Sequence, residues 1–236
     1  MRQLLPRAAD LVDPAVVYAD LPVASGRPAV RLNMIASLDG AATVDGLSGG
    51  LGGPADHRVF AALRELADVV LVAAGTVRAE RYGPAKVPLA IVTRSCALDL
   101  DAPLFAEGAR PIVITVATAP PAAVAAVGEV ADVLVAGEHT VDLHTALQLL
   151  GRAGHDNVLA EGGPSLNAQL AAADLIDELC ITVAPCLIGG DSRRILAGTP
   201  VNMTRFALHT ICEDSDYLFL RLRRAPSPPI DLGLIP

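Results

Sequence analysis

Three short segments carry residue types that bind phosphate, and each follows an apolar run. Ala74-Gly75-Thr76-Val77 leaves one such run, and Val92-Thr93-Arg94-Ser95 delivers two hydroxyls and a guanidinium from another. Glu161-Gly162-Gly163-Pro164-Ser165 passes from a third through two glycines into a helical stretch. Glycines let backbone approach a ligand closely, and a helix start presents free N–H groups to an anion. Arg94 between two hydroxyls suits a monoester phosphate such as the 2′-phosphate of NADP. Any one segment reads equally as a tight turn or a solvated loop. Three at the ends of strands in one chain point to a dinucleotide site, because ligands of open parallel sheets bind beyond the carboxyl ends of the strands. No G-x-G-x-x-G follows the first strand and no Walker lysine motif is present, which argues against an ordinary Rossmann dehydrogenase or a P-loop enzyme.

The elements that must position these segments alternate in type. Residues 29–35 read as a first strand, a glycine-rich loop covers 37–53, and Pro54 opens a helix with Phe60, Leu63 and Leu66 at helical spacing. Continuous apolar runs at 68–74, 88–93, 111–115, 131–136 and 157–160 read as strands covered on both faces. Helical stretches fall around 120–128, 141–152 and 165–172. Residues 178–184 and 216–223 read as longer, paired antiparallel strands. The expectation is a three-layer α/β fold, a mostly parallel sheet with antiparallel C-terminal edge strands. Residues 1–28 form an N-terminal extension, 29–225 the main domain and 226–236 a Pro-rich surface tail.

Composition excludes several classes. The 236 residues hold 18 basic and 26 acidic side chains, a formal charge of −8, with 52% hydrophobic residues and 19% charged. That is too apolar for a disordered chain and too acidic for a duplex-DNA binder. Aromatics make up 3%, with no Trp, which removes the usual stacking platforms for single strands. It also suggests a substrate ring held by aliphatic walls and polar edges. No run approaches the ~18 apolar residues of a membrane helix. Cys96, Cys180, Cys186 and Cys212 form no C-x-x-C pair, and the five histidines form no H-E-x-x-H. A cytoplasmic, metal-free protein with buried thiols is expected, with no nucleic-acid or membrane partner.

The motifs also occur in a recognisable order. Asn33-Met-Ile-Ala-Ser-Leu-Asp-Gly40, Ala74-Gly-Thr-Val77, Glu161-Gly-Gly-Pro-Ser-Leu166, Asp177-Glu-Leu179, Ala184-Pro185 and Ile188-Gly-Gly190 follow one another. Together they resemble the reductase domain of the bifunctional riboflavin biosynthesis deaminase–reductase, of dihydrofolate-reductase-like fold, over about residues 29–223. There is no H-x-E with a later P-C-x-x-C, so the chain reads as a stand-alone reductase module of the actinobacterial type. The resemblance implies an NADPH-dependent reductase, usually a homodimer, acting on a small-molecule substrate. It places Ile35, Gly50, Thr76 and Glu80 at cofactor positions, Gly162 to Leu166 around the pyrophosphate, and Ser48, Arg64 and Glu161 at substrate positions. Two departures stand out. Val87 lies where the family has an Arg for the sugar phosphate, and Gly50 replaces an aromatic.

The leading expectation is hydride transfer from NADPH to a C=N bond, which also needs a proton for nitrogen. Glu161 is the first candidate to relay it or to hold a substrate N–H edge, its other reading being a cap for the following helix. Asp39 is the second, although Asp-Gly is a turn signature. Arg64 reads as a solvated helix arginine on its own, and His57 as a surface residue. Two substrates compete: the ribosylamino-pyrimidine phosphate of riboflavin synthesis, and a pterin such as dihydrofolate. A non-catalytic NADPH-binding module is the third reading.

Overall fold

A computed structural model describes residues 1–21 and 24–225; the expected tail at 226–236 lies outside the described residues. Its strands are β1 (Arg2–Leu5), β2 (Ala29–Ser37), β3 (Val69–Ala73), β4 (Leu89–Val92), β5 (Ile112–Thr115), β6 (Asp132–Val135), β7 (Asn157–Ala160), β8 (Glu178–Ala184), β9 (Phe206–Asp214) and β10 (Tyr217–Arg224). Its helices are α1 (Pro14–Val17), α2 (Pro54–Glu65), α3 (Ala74–Ala79), α4 (Pro103–Ala106), α5 (Pro121–Val130), α6 (Leu143–Arg152) and α7 (Pro164–Ala172). All the strands join one sheet in the order β1-β9-β10-β8-β2-β7-β3-β4-β5-β6.

From β8 to β6 every neighbouring pair is parallel. Beyond β8, β10, β9 and β1 continue antiparallel. The antiparallel pairing of 178–184 with 216–223 is therefore present, but β8 is interior and runs parallel to β2. The outer strands on that side are β9, which carries little apolar alternation, and β1, supplied by the N-terminal 28 residues.

Successive strand residues alternate between two cores. Val70, Val72, Ile91 and Val113 pack with Val59 and Leu63 of α2 and Val127 of α5. Val69, Leu71, Ile112 and Ile114 pack with Leu147 and Leu150 of α6 and Leu170 of α7 on the other face. Each fully buried aliphatic side chain contributes about 1.5–3 kcal/mol of hydrophobic free energy. That burial on both faces is why the central strands read as continuous apolar runs.

A buried ionic cluster ties the N-terminal segment to the sheet. Glu178, fully buried, accepts from Arg31 at 2.5 Å, Arg221 at 2.9 Å and Arg223 at 3.1 Å. Arg221 and Arg223 also reach Asp20, at 2.6 and 2.7 Å. The Tyr18 ring lies between Arg31 and Arg221, 5.8 and 5.7 Å from their guanidinium carbons. No helix of the described residues is long and apolar enough to cross a membrane.

Candidate active site

The parallel order brings β2, β7 and β3 side by side, and their carboxyl ends open on a cleft of about 1080 Å³. That reaches the upper end of ordinary ligand clefts, ~300–1,000 Å³. Ile35 lines it from β2, and Gly75, Thr76 and Glu80 from α3 and its C-terminal end. Gly163, Pro164, Ser165 and Leu166 line it from the start of α7, Arg64 from α2, and Glu161 from the turn after β7. Ser48 joins them from the glycine-rich loop, held by its amide donating to Glu80 Oε1 at 2.7 Å.

The turn from β7 into α7 requires its glycines. Gly162 has φ +99°, a conformation side chains strain to adopt, and the Gly162–Gly163 peptide is cis. A Cβ on Gly163 would fall 2.6 Å from Thr76 Oγ1. Gly163 caps α7 without a side chain, and Pro164 fills the first helical position, where a missing N–H costs nothing. The Ser165 and Leu166 amides in the first turn thus have no backbone acceptor, as donors at a helix start do.

Glu161 does not cap that helix. Its buried carboxylate accepts Arg64 Nε and Nη2 at 2.7 Å each, and the Tyr82 hydroxyl donates to Oε2 at 2.7 Å. Burial alone would lower the Arg64 pKa, but the hydrogen bonds and charge of Glu161 hold it above its ordinary value. Burial, then the negative charge of Glu161, pushes the Tyr82 hydroxyl well up. The Arg64 guanidinium stacks on Phe60 at 4.4 Å and on Tyr82 at 5.2 Å. The cleft wall is therefore partly aromatic, contrary to the expectation of aliphatic walls. Four Phe and three Tyr suffice because Phe60 and Tyr82 are placed here.

Other candidates lie apart. Asp39 is exposed outside the cleft, where it accepts from the Ser37 hydroxyl at 2.5 Å and the Gly189 amide at 2.6 Å and also from the Ile188 amide. The Ser37 hydroxyl first, then the two amides, lowers its pKa to about 2. It clasps one loop to another and does not line the cleft, which sets it apart from the other acid candidate, Glu161. Gly50 is exposed beside Val44 and outside the cleft lining. Thr93 is buried, while Arg94 and Ser95 are exposed after β4, one strand beyond β3 and also outside the lining. His57, expected on the surface, is exposed and lines the cleft mouth from α2. Tyr82 and Asp56 were not singled out from the sequence, and Phe60 was read only as part of the helix pattern with Leu63 and Leu66. The signal was there for two of them: Asp56, Phe60 and Arg64 recur every four residues, beside the buried stripe of Ala55, Val59 and Leu63.

An open, mostly parallel sheet with its cleft at the carboxyl ends of β2, β7 and β3 defines an α/β protein of dihydrofolate-reductase-like fold. The chain belongs to the family of the RibD C-terminal domain, whose model matches residues 28–220. Among its relatives, the 2,5-diamino-6-ribosylamino-4(3H)-pyrimidinone 5′-phosphate reductase of Methanothermobacter thermautotrophicus is 31% identical over 210 residues, covering 84% of this chain and 93% of that one. The reductase of the same name from Archaeoglobus fulgidus is 32% identical over 191 residues, covering 73% and 87%. A solved pyrimidine reductase-like protein of Corynebacterium diphtheriae superposes with a TM-score of 0.80 at 26% identity, covering 92% of this chain and 100% of that one.

Proposed function

We propose that the chain is an NADPH-dependent reductase acting on the C=N bond of a ribosylamino-pyrimidine 5′-phosphate, in the cytoplasm and as a homodimer. The observation that carries this reading is an anion-receptive helix start sharing one cleft with the Arg64–Glu161–Tyr82 cluster. A reduced nicotinamide dinucleotide fits the residues present. Gly163 keeps the turn bare where a Cβ would crowd Thr76, and the Ser165 and Leu166 amides would take its pyrophosphate. Ile35, Gly75, Thr76 and Glu80 would hold it along the cleft, with Arg94 offered to a 2′-phosphate. When bound, it supplies the hydride.

The chain's own residues bind and orient the substrate. Two of the five Arg64 N–H donors go to Glu161, which leaves Nη1 for a substrate oxygen. Glu161 and Tyr82 fix that guanidinium in place, so little side-chain entropy is lost on binding. Both Glu161 oxygens are taken up by Arg64 and Tyr82, so Glu161 is a positioning residue in this reading. The relatives' substrate favours the ribosylamino-pyrimidine over dihydrofolate. Half-buried Ile181, Leu220 and Ile211 lie abreast across β8, β10 and β9, and this apolar ladder supports a second copy covering that face.

The test follows loss of NADPH absorbance with the pyrimidinone phosphate and with dihydrofolate in parallel. Consumption with the first alone is expected. Consumption with dihydrofolate alone would replace the substrate, and none with either would leave a binding module.

A further inference from the structure

The face that α2 turns to the cleft has three chemical zones. Asp56, Phe60 and Arg64 stand at successive four-residue steps and all line the cleft. At 1.5 Å per residue they span about 12 Å, the length of a heterocycle with its sugar. A carboxyl group ends the stripe at the helix start, an aromatic face fills the middle, and the Glu161-bound guanidinium closes the other end.

Five carboxyl groups line the cleft: Asp45, Asp56, Glu80, Glu161 and Asp191. Glu161 is committed to Arg64 and Tyr82, and Glu80 to the Ser48 amide. Asp45 and Asp191 are exposed. Asp56 is half-buried, and among the described residues it has neither an ion pair with an arginine nor a backbone amide. The groups acting on it are the buried Thr182 hydroxyl of β8 and His57 of its own helix. Thr182 sits in register with Ile35 of β2, itself a cleft residue. A helix's first turn favours a charged carboxylate. Burial outweighs that and both neighbours, and raises the Asp56 pKa from its ordinary value. Its other titratable companions in the cleft are His57, Arg64, Arg81, Tyr82 and Arg193, beside the four carboxyl groups already named.

We propose that Asp56 is the acid that protonates the substrate nitrogen during reduction. The proposal rests on the reductase reading and gives the proton to a carboxyl group that, unlike Glu161, is not held by Arg64 and Tyr82 and, unlike Asp39, lines the cleft. In the balanced step the sugar ring has first opened, its C–O bond breaking as the ring oxygen takes the amino proton and a C=N bond forms. The imine carbon then takes the hydride of the reduced nicotinamide, which is left oxidised. The C=N electron pair moves onto nitrogen, the Asp56 O–H bond breaks, and its proton makes the new N–H bond. Solvent then reprotonates the carboxylate. Activity is full where Asp56 is protonated and falls as pH rises through its pKa.

The test compares the wild type with Asp56→Asn and Asp56→Glu, using the pyrimidinone phosphate and NADPH. Asp56→Asn is expected to lower kcat about 100-fold or more and to flatten the alkaline fall of kcat/KM. Its NADPH affinity, read by fluorescence titration, is expected to stay at the wild-type value. Carboxyl ¹³C NMR of the wild type is expected to show one aspartate titrating above the ordinary range, absent from the variant. Asp56→Glu is expected to keep the pH dependence at reduced kcat, and serves if the Asn variant does not fold. Wild-type turnover with an unchanged rate and pH profile in Asp56→Asn would overturn this inference alone. No turnover by the wild type would overturn the reductase reading, and this inference with it.

Discussion

Replacing Glu161 by Gln removes the charge against which Arg64 is set. The Glu161 side chain is 2% exposed and that of Arg64 27%, and three donors converge on the carboxylate at 2.7 Å. Glutamine offers one oxygen for two and turns an NH₂ toward those donors. Removing one partner of a buried pair costs about 3–5 kcal/mol. Arg64 retains some contact with water and keeps Phe60 and Tyr82 beneath it, so the expected loss is roughly 2–3 kcal/mol. In a chain of this size each kcal/mol moves Tm by about 2–4 °C, giving a drop of about 4–12 °C in thermal unfolding. The freed guanidinium also loses its fixed orientation, and substrate KM rises about tenfold or more. The pH midpoint of kcat stays at its wild-type value, because Glu161 acts through Arg64 and not on the reacting atoms. An unchanged Tm and KM would refute the positioning role, and a shifted midpoint would refute the claim that Glu161 acts only through Arg64.

Further outcomes follow from the same geometry. Glu178→Gln strands Arg31 and Arg221, whose side chains are 4% and 1% exposed. It is expected to lower unfolding stability by about 3–5 kcal/mol, read by denaturant titration. Arginine contacts that overcome burial hold Glu178 below its ordinary pKa, and the same contacts lower Asp20 to about 2. Unfolded carboxylates titrate near 4, so this stabilisation is complete above about pH 4 and is lost as pH falls toward 2, measurable as a falling Tm. Gly162→Ala places a side chain at φ +99° and is expected to cost about 1–3 kcal/mol and to weaken NADPH binding in calorimetry. Arg94→Ala is expected to raise the Kd of NADPH while leaving that of NADH unchanged. Equal effects on both would remove Arg94 from the 2′-phosphate.

The parts of the fold legible in the sequence were those whose burial is local and complete. Residues 69–73, 89–92 and 112–115 are apolar on both faces, and that run length says strand without reference to any partner. The strand β9 alternates only weakly, with Ala207 and Leu208 exposed, because its pairing with β10 rather than its own side chains defines it. The N-terminal strand is held by β9, near the other end of the chain, with the N-terminus paired to Asp214 and Arg2 to Glu213, so no local pattern marks it. At the site, Gly162 and Gly163 were legible as a bare turn before a helix, although that turn alone reads equally as a tight turn without a ligand. The roles of Glu161 and Asp39 were not legible, since each depends on which donors the fold delivers: Arg64 and Tyr82 to one, Ser37 and Gly189 to the other. Few aromatics in the composition say nothing about where those few are placed, and Phe60 and Tyr82 stand in the cleft.

The central claim is that this cleft moves a hydride to a carbon of a ribosylamino-pyrimidine phosphate. The most direct measurement uses NADPH deuterated at the transferring position of C4 and weighs the product by mass spectrometry. The account predicts a product one mass unit heavier than that formed from ordinary NADPH, with the label on the reduced carbon. A reduced product carrying no label, or intact substrate recovered after NADPH binding, would contradict it.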